Sequence, residues 1–297
     1  YKRQLVPSRG THLVFERERL PLEVGLTLRV PGRVVFVIPY PGAWVVGTTD
    51  VGDDGAPDRP VPTADEVDEI LGNVNHVLDA GLTRDVAVGA FAGLRPLVGA
   101  PGGDTARVSR EHTIHREDSG LVRVSGGKYT TYRLMARDAV DYVLTDKDPM
   151  PASRTHQRPL LGAAPRERLA AIAAELARET GLDETRMQAL VDRHGEEARD
   201  VVALGRAADL LRPLADDRTE LEAEVAWAVE QEHALGLDDV LSRRMRVAMS
   251  RRDRGASLAA RVAEIAGARL GWDAQQQAAE VEQYLQSAHR EYDVPGA

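Results

Sequence analysis

The chain has no cysteine among its 297 residues, which excludes disulfide bonds and thiolate metal sites. This absence fits a cytosolic setting. A surplus of positive charge is missing too: the formal net charge is −9, which argues against general nucleic-acid binding. No apolar run approaches the ~20 residues of a membrane span, and no signal-peptide pattern opens the chain. The dinucleotide fingerprint G-x-G-x-x-G occurs nowhere. A Walker A loop fails around Lys128, where Val122 stands at the first glycine position and Tyr129 at the Ser/Thr position. The chain starts on Tyr1 and enters a strand-like run almost at once, so it is expected to be part of a longer protein.

What is present suffices for two domains of ~100–200 residues each, with 43% hydrophobic residues to build their cores. The organising stretch is Leu121–Leu134, L-V-R-V-S-G-G-K-Y-T-T-Y-R-L. Leu121, Val122 and Val124 read as a strand, and Ser125, Gly126 and Gly127 as a break. An apolar helical pattern follows to about Leu144. Glycines permit a tight turn and close backbone approach. The helix start supplies unpaired N–H groups and the positive end of its dipole. Such a corner suits an anion or an electron-rich ring edge. Lys128 adds a full charge, and Thr130 and Thr131 add hydroxyls. The plainer reading is a strand–turn–helix joint with a solvated lysine.

Upstream, P-S-R-G-T-H-L-V-F puts Gly10 at a turn and Leu13–Phe15 at a strand start, with Arg9, Thr11 and His12 clustered at its mouth. Such a histidine is usually structural, although its ring can exchange protons near neutral pH. Val34–Ile38 and Ala43–Thr48 read as a hairpin turned at Pro39–Gly42. Thr48, Thr49 and Asp50 follow at a strand end, where they line a site or open an acidic surface loop. Thr63 and Glu66 form a capping box for a helix expected to end at Gly81, and no chemistry is read there. Val86–Phe91 is strand-like and leads into A-G-L-R-P-L-V. Arg95, flanked by apolar residues and Pro96, is expected to be partly buried and to need an anionic partner. Arg95, Arg110 and Lys128 would make a phosphate cradle if they converged, because guanidinium forks match phosphate oxygens.

The composition changes in a proline-bearing stretch. The expected domains are 1–147, a linker at 148–160, and a helical domain at 161–297. Almost nothing strand-like follows residue 160. Six or so helices do, including patterns at Leu221–His233 and Val240–Met249. Arg243, Arg244, Arg246, Arg251, Arg252 and Arg254 form a basic run, usually a solvated face. It could also meet anionic lipid, a partner or another part of a longer chain. The fold class is therefore α+β, a sheet with flanking helices followed by an all-α domain.

Several stretches together resemble the flavin-dependent glycerol-3-phosphate dehydrogenases of the aerobic type. They are P-S-R-G-T-H-L-V-F, V-V-F-V-I-P-Y, W-V-V-G-T-T-D-V, A-G-L-R-P-L-V, V-S-R-E-H and V-S-G-G-K-Y-T-T-Y-R, with E-V-A-W-A-V-E-Q-E-H-A-L-G-L-D-D-V-L-S-R-R-M-R near the C-terminus. They cover nearly the whole chain in the family's order. The resemblance implies a substrate-binding sheet and the last part of an FAD-binding fold. It also implies that the family's N-terminal Rossmann-like segment, the main FAD-binding fold, lies outside this chain. The implied reaction oxidises sn-glycerol 3-phosphate to dihydroxyacetone phosphate by hydride transfer to FAD, and electrons pass to quinone. The implied setting is cytoplasmic or peripheral on the cytoplasmic membrane.

By motif match, Arg95 would hold substrate or developing oxyanion, and His12 is the candidate base. Arg110, Lys128 and Thr130 would bind phosphate. Gly126, Gly127 and Lys128, with Thr48 and Thr49, would contact the flavin; no metal is implied. A dianionic substrate calls for fixed cations and the loss of a hydride for a base, while flavin supplies the redox step. The alternatives are a glycerol-phosphate oxidase using oxygen and a non-catalytic binding module. The family's chain alone, without its nucleotide fold, is expected to be inactive.

Overall fold

The computed structural model describes residues 4–31, 33–53, 55, 58–99, 111–145 and 151–297. These fall into two compact units, one of residues 1–159 with 294–297 and one of residues 160–293. Residues 151–159, expected in a linker, belong to the first unit. The last four residues, expected in the helical domain, belong there as well.

The first unit is built on an antiparallel sheet. Its strands are β1 (Gln4–Glu16), β2 (Leu26–Val30), β3 (Arg33–Tyr40), β4 (Ala43–Gly47), β5 (Val51–Gly52) and β6 (Ala87–Gly99). The order is β2-β3-β4-β1, with β5 continuing along the β4 side of β1 and β6 filling the other side. β1 is long because both of its edges are paired, and Gly10 therefore lies mid-strand, opposite Gly93. The expected turn at Gly10 is corrected: the Arg9–Thr11 backbone is held by ladder bonds to a strand distant in sequence. For the same reason the strand read over Val86–Phe91 runs on as β6 through Pro96, which pairs with Pro7.

Alternation sorts the side chains of β1 onto two faces. Leu13 and Phe15 join Val35, Val37, Trp44 and Val46 in a core closed by helix α1 (Ala64–Leu78). α1 contributes Val67, Ile70, Leu71 and Val74, each burial worth roughly 1.5–3 kcal/mol. Thr63 caps α1 and Glu66 completes the box, as the sequence pattern requires. The helix ends at Leu78 with Asp79 in the left-handed conformation, φ 48°, so Gly81 is not its cap. A second ladder pairs β7 (Thr113–Arg116) with β8 (Val122–Ser125). After it, Gly126 and Gly127 adopt φ 77° and 91°, and a 3-10 turn leads into α2 (Tyr132–Leu144).

The second unit is helical: α3 (Arg166–Thr180), α4 (Glu184–His194), α5 (Ala198–Ala207), α6 (Glu222–Glu230), α7 (Val247–Ser250), α8 (Ala256–Leu270) and α9 (Ala274–Tyr292). They enclose an apolar core that includes Ile172, Leu190, Val225, Leu241 and Val262. The helix expected over Val240–Met249 is two pieces: a π-helical segment, Asp239–Arg244, then α7, with Arg246 between them at φ 54°. The basic run is largely ion-paired within the unit. Arg243 meets Asp238, Arg244 meets Asp239, Arg251 meets Asp217 and Asp253, and buried Arg254 meets Asp293. Glu224, enclosed at the start of α6, accepts from Arg193 at 2.7 Å and lies 3.1 Å from His194. Burial pushes its carboxyl pKa up, but the His194 hydrogen bond and the Arg193 charge hold it below the ordinary value.

Candidate active site

Arg95 stands beside Ser8 in the β1–β6 register and lies across β1 on the face away from α1. Its path is clear because residue 10 is glycine. A Cβ there would stand 2.6 Å from Arg95 Nη2 and 2.6 Å from Thr48 Oγ1. The guanidinium thus reaches the 48–50 turn that joins β4 to β5. Nη2 donates to Thr48 Oγ1 at 3.0 Å and to the Thr49 carbonyl at 3.1 Å. Nη1 donates to Ser8 Oγ at 3.4 Å and lies 3.9 Å from Asp50 Oδ1. Ser8 Oγ donates to Asp50 in turn. The anionic partner that the flanking residues of Arg95 demand is therefore Asp50, a residue of this turn rather than of a surface loop.

His12 lies two residues beyond Gly10 on the same face. It sits over Gly47, where a Cβ would come within 2.5 Å of the imidazole Cδ2. Its ring stacks on Phe91, its cross-strand partner, with centroids 5.0 Å apart and planes at 9°. His12 Nδ1 is enclosed without a hydrogen-bond partner. Burial and, second, the Arg95 charge lower its pKa from 6.5 to about 4, against a smaller opposing effect of the Gly10 backbone. His12 is therefore neutral at pH 7. The expected cluster of Arg9, Thr11 and His12 is divided by the pleat. Arg9 and Thr11 turn to the α1 side, where Arg9 pairs with Glu66 and Asp53.

The second group of sequence-derived residues forms an exposed corner after β8, a strand that lies near β6. Lys128, Tyr129 and Thr130 are exposed after the Gly126–Gly127 turn. Thr131 ties the turn together: its Oγ1 accepts from Lys128 N–H at 3.2 Å and donates to the Lys128 carbonyl at 3.0 Å. The structure brings Arg95, Thr48, Thr49, Asp50 and His12 to one neighbourhood, and Gly126, Gly127, Lys128 and Thr130 share the exposed corner. Arg110 lies outside the described residues. Ser8 is a member the sequence reading missed. Its only signal is its place two residues before Gly10, which matters once Gly10 is known to be mid-strand. Among the described residues no group of three or more His, Asp or Glu is arranged to hold a metal ion.

A strand-built arginine–histidine face thus precedes an all-helical unit in the chain. A model described as FAD dependent oxidoreductase matches residues 2–142. One described as the C-terminal domain of alpha-glycerophosphate oxidase matches residues 153–277. The chain belongs to this FAD-dependent oxidoreductase family.

Its relatives include glycerol-3-phosphate dehydrogenase 2 of Mycobacterium tuberculosis, 39% identical over 284 residues, which are 95% of this chain and 48% of that protein. A mitochondrial glycerol-3-phosphate dehydrogenase of Arabidopsis thaliana is 32% identical over 95% of this chain and 47% of its own length. The chain spans about half the length of these curated relatives. The crystal structure of glycerol-3-phosphate dehydrogenase from Bacillus halodurans complexed with FAD is similar with a TM-score of 0.82 and 25% identity, over 97% of this chain and 57% of that one.

The donor set fits a flavin and an anionic substrate. The face around Arg95 combines a fixed cation with an unpartnered buried ring nitrogen, His12 Nδ1. The glycine corner combines positive-φ backbone, a cation and a hydroxyl at a helix start, which is the chemistry that receives phosphate or an electron-rich ring edge.

Proposed function

We propose that this chain forms the substrate-facing half of an FAD-dependent enzyme that oxidises glycerol 3-phosphate to dihydroxyacetone phosphate in the intact protein. The observation that carries this reading is the Arg95 guanidinium pinned across Gly10 beside a neutral His12 with an unsatisfied Nδ1. FAD, when bound, accepts the two electrons of the oxidation; Gly126, Gly127, Lys128, Thr48 and Thr49 are the residues of this chain proposed to hold it. Arg95 binds the substrate and stabilises negative charge developing at its C2 oxygen. Its own orientation is fixed beforehand by Thr48, Thr49 and Ser8, so little reorganisation is needed when that charge forms. Neutral His12 takes the C2 hydroxyl proton. Its low pKa makes it a weak base in the free protein, and the negative charge of the bound substrate offsets the Arg95 guanidinium charge and strengthens it. Lys128 and Thr130, with Arg110, hold the phosphate. Quinone is the proposed final acceptor, reached by peripheral contact with the membrane. Among the described residues no helix is long and apolar enough to cross one.

A second reading has one specific support: the helical unit matches a domain described for alpha-glycerophosphate oxidase, so oxygen is the alternative acceptor. Both are tested on the purified intact protein with glycerol 3-phosphate. Dihydroxyacetone phosphate formed with quinone consumption and little peroxide supports the dehydrogenase. Stoichiometric peroxide supports the oxidase. No product with either acceptor sinks both.

A further inference from the structure

The two faces of the sheet are joined by one buried carboxylate. Glu66, on the first turn of α1, is almost fully enclosed, its side chain 4% exposed. A helix-capping glutamate is ordinarily at the surface, and the capping box explains only part of its bonding. Its Oε2 accepts from the Thr63 N–H at 3.1 Å and Thr63 Oγ1 at 2.9 Å, which is the cap. The same oxygen accepts from Arg9 Nε at 3.0 Å, and Arg9 Nη1 goes on to Asp53 at 2.6 Å. Oε1 faces elsewhere and accepts from Thr49 Oγ1 at 2.8 Å. That hydroxyl also accepts from the Thr11 N–H at 2.9 Å. Thr49 is therefore tied to α1 by its side chain and to β1 by the Thr11 amide. Its carbonyl, on the other side of the same residue, receives Arg95 Nη2. Thr48 Oγ1, the second acceptor of Nη2, donates to that carbonyl at 3.1 Å.

We infer that Glu66 is a positioning residue for Arg95, acting through Thr49. The carboxylate fixes the direction of the Thr49 hydroxyl: it must donate to Glu66, so its lone pair serves Thr11. This sets the 48–50 turn against β1 and aims the Thr49 carbonyl at the guanidinium. A charged acceptor is required. Glutamine has one acceptor oxygen for two donor-facing directions. If that oxygen serves Arg9 and Thr63, its NH2 faces Thr49 Oγ1, which must turn its own proton away. A buried donor is then left unmet, and the turn shifts to satisfy it. The catalytic consequence rests on the reading of Arg95 as a substrate-side residue; the positioning itself does not.

The test uses the intact protein labelled with 15N-arginine, the Arg95 guanidinium signals being assigned with Arg95→Lys. In the parent, two-sided hydrogen bonding gives Arg95 resolved, slowly exchanging Nη signals. Glu66→Gln and Thr49→Val are expected to merge those signals, whereas Thr49→Ser, which keeps the hydroxyl, preserves them. Thr63→Ala removes the hydroxyl that caps α1 and one of the bonds to Glu66 Oε2, but keeps the Thr63 N–H and Arg9 bonds to that oxygen and the Oε1–Thr49 link, and is expected to leave Arg95 as in the parent. The same variants are assayed with glycerol 3-phosphate. Glu66→Gln and Thr49→Val are expected to lose about ten- to a hundredfold in kcat/KM, the scale of a small misplacement of a catalytic group. Unchanged Arg95 signals in both variants overturn the inference. Equal loss of those signals in Thr63→Ala also overturns it, because the effect is then loss of helix anchoring. Altered signals with unchanged kinetics uphold the positioning and overturn instead the substrate role of Arg95.

Discussion

Gly10→Ala and Gly93→Ala place the same methyl group on directly opposed residues of one strand pair, and opposite results are expected. At Gly93 a Cβ meets nothing within 4 Å. Replacing a strand-interior glycine there stabilises by roughly 0.5–1 kcal/mol through the unfolded chain. At Gly10 the methyl stands 2.6 Å from Arg95 Nη2 and 2.9 Å from Cζ. The guanidinium cannot remain over the strand and keep its bonds to Thr48 and Thr49. Overpacking of this kind costs about 1–3 kcal/mol. Set against the glycine gain, a net loss of about 1–2 kcal/mol is expected, or roughly 2–8 °C in the Tm of a unit this size. Thermal unfolding followed by circular dichroism measures it, and a crystal structure of Gly10→Ala should show Arg95 swung away from the Thr49 carbonyl. Equal Tm values for the two variants, with Arg95 in place in both, would refute the account of Gly10 as the gap through which Arg95 passes.

The lowered pKa of His12 makes a prediction about acid stability. Its folded-state value, about 4, lies below the unfolded 6.5, so the unfolded chain takes up the proton first. Stability therefore falls as pH drops from about 6.5 to about 4, by up to ~3 kcal/mol, and no further below that. His12→Gln should flatten this limb in urea titrations at pH 7 and pH 4.5; an unaltered pH slope would contradict it. Lys128→Ala, at an exposed corner, should leave Tm unchanged and raise KM for glycerol 3-phosphate roughly tenfold, the scale of one charge-assisted contact. An unchanged KM would remove Lys128 from the phosphate site. Glu224→Gln replaces the enclosed carboxylate that holds Arg193 and His194 and should destabilise the helical unit by about 1–3 kcal/mol, read as a lowered urea midpoint; a shift within error would mean that the glutamine amide makes those contacts equally well.

The elements that could be read from the sequence were those specified locally. The β3–β4 hairpin (though its turn is Pro41–Gly42, with Pro39 and Tyr40 still paired in β3), the capping box of Thr63 and Glu66, the Gly126–Gly127 corner and most helices after residue 160 rest on contacts within a turn or two. The misreadings share a cause. Gly10 looked like a turn because its reason for being glycine is a side chain 85 positions away. Glu66 looked like a cap only, because its links to Arg9 and Thr49 run from the helix to residues distant in sequence. His12 and its neighbours Arg9 and Thr11 read as one cluster in the sequence, but Arg9 and Thr11 serve the other face. That follows from strand alternation, which can be applied only after the strand is recognised. Arg95 was legible as a residue in need of an acid, and the identity of that acid depended on the β1–β6 register.

The most direct test of the central claim is anaerobic mixing of the intact, FAD-loaded protein with glycerol 3-phosphate, following the visible flavin absorbance in parent and Arg95→Ala. The account predicts rapid loss of absorbance in the parent and a rate reduced at least about a hundredfold in the variant, with equal flavin content in both. Equal rates, or no loss of absorbance in the parent, would contradict it.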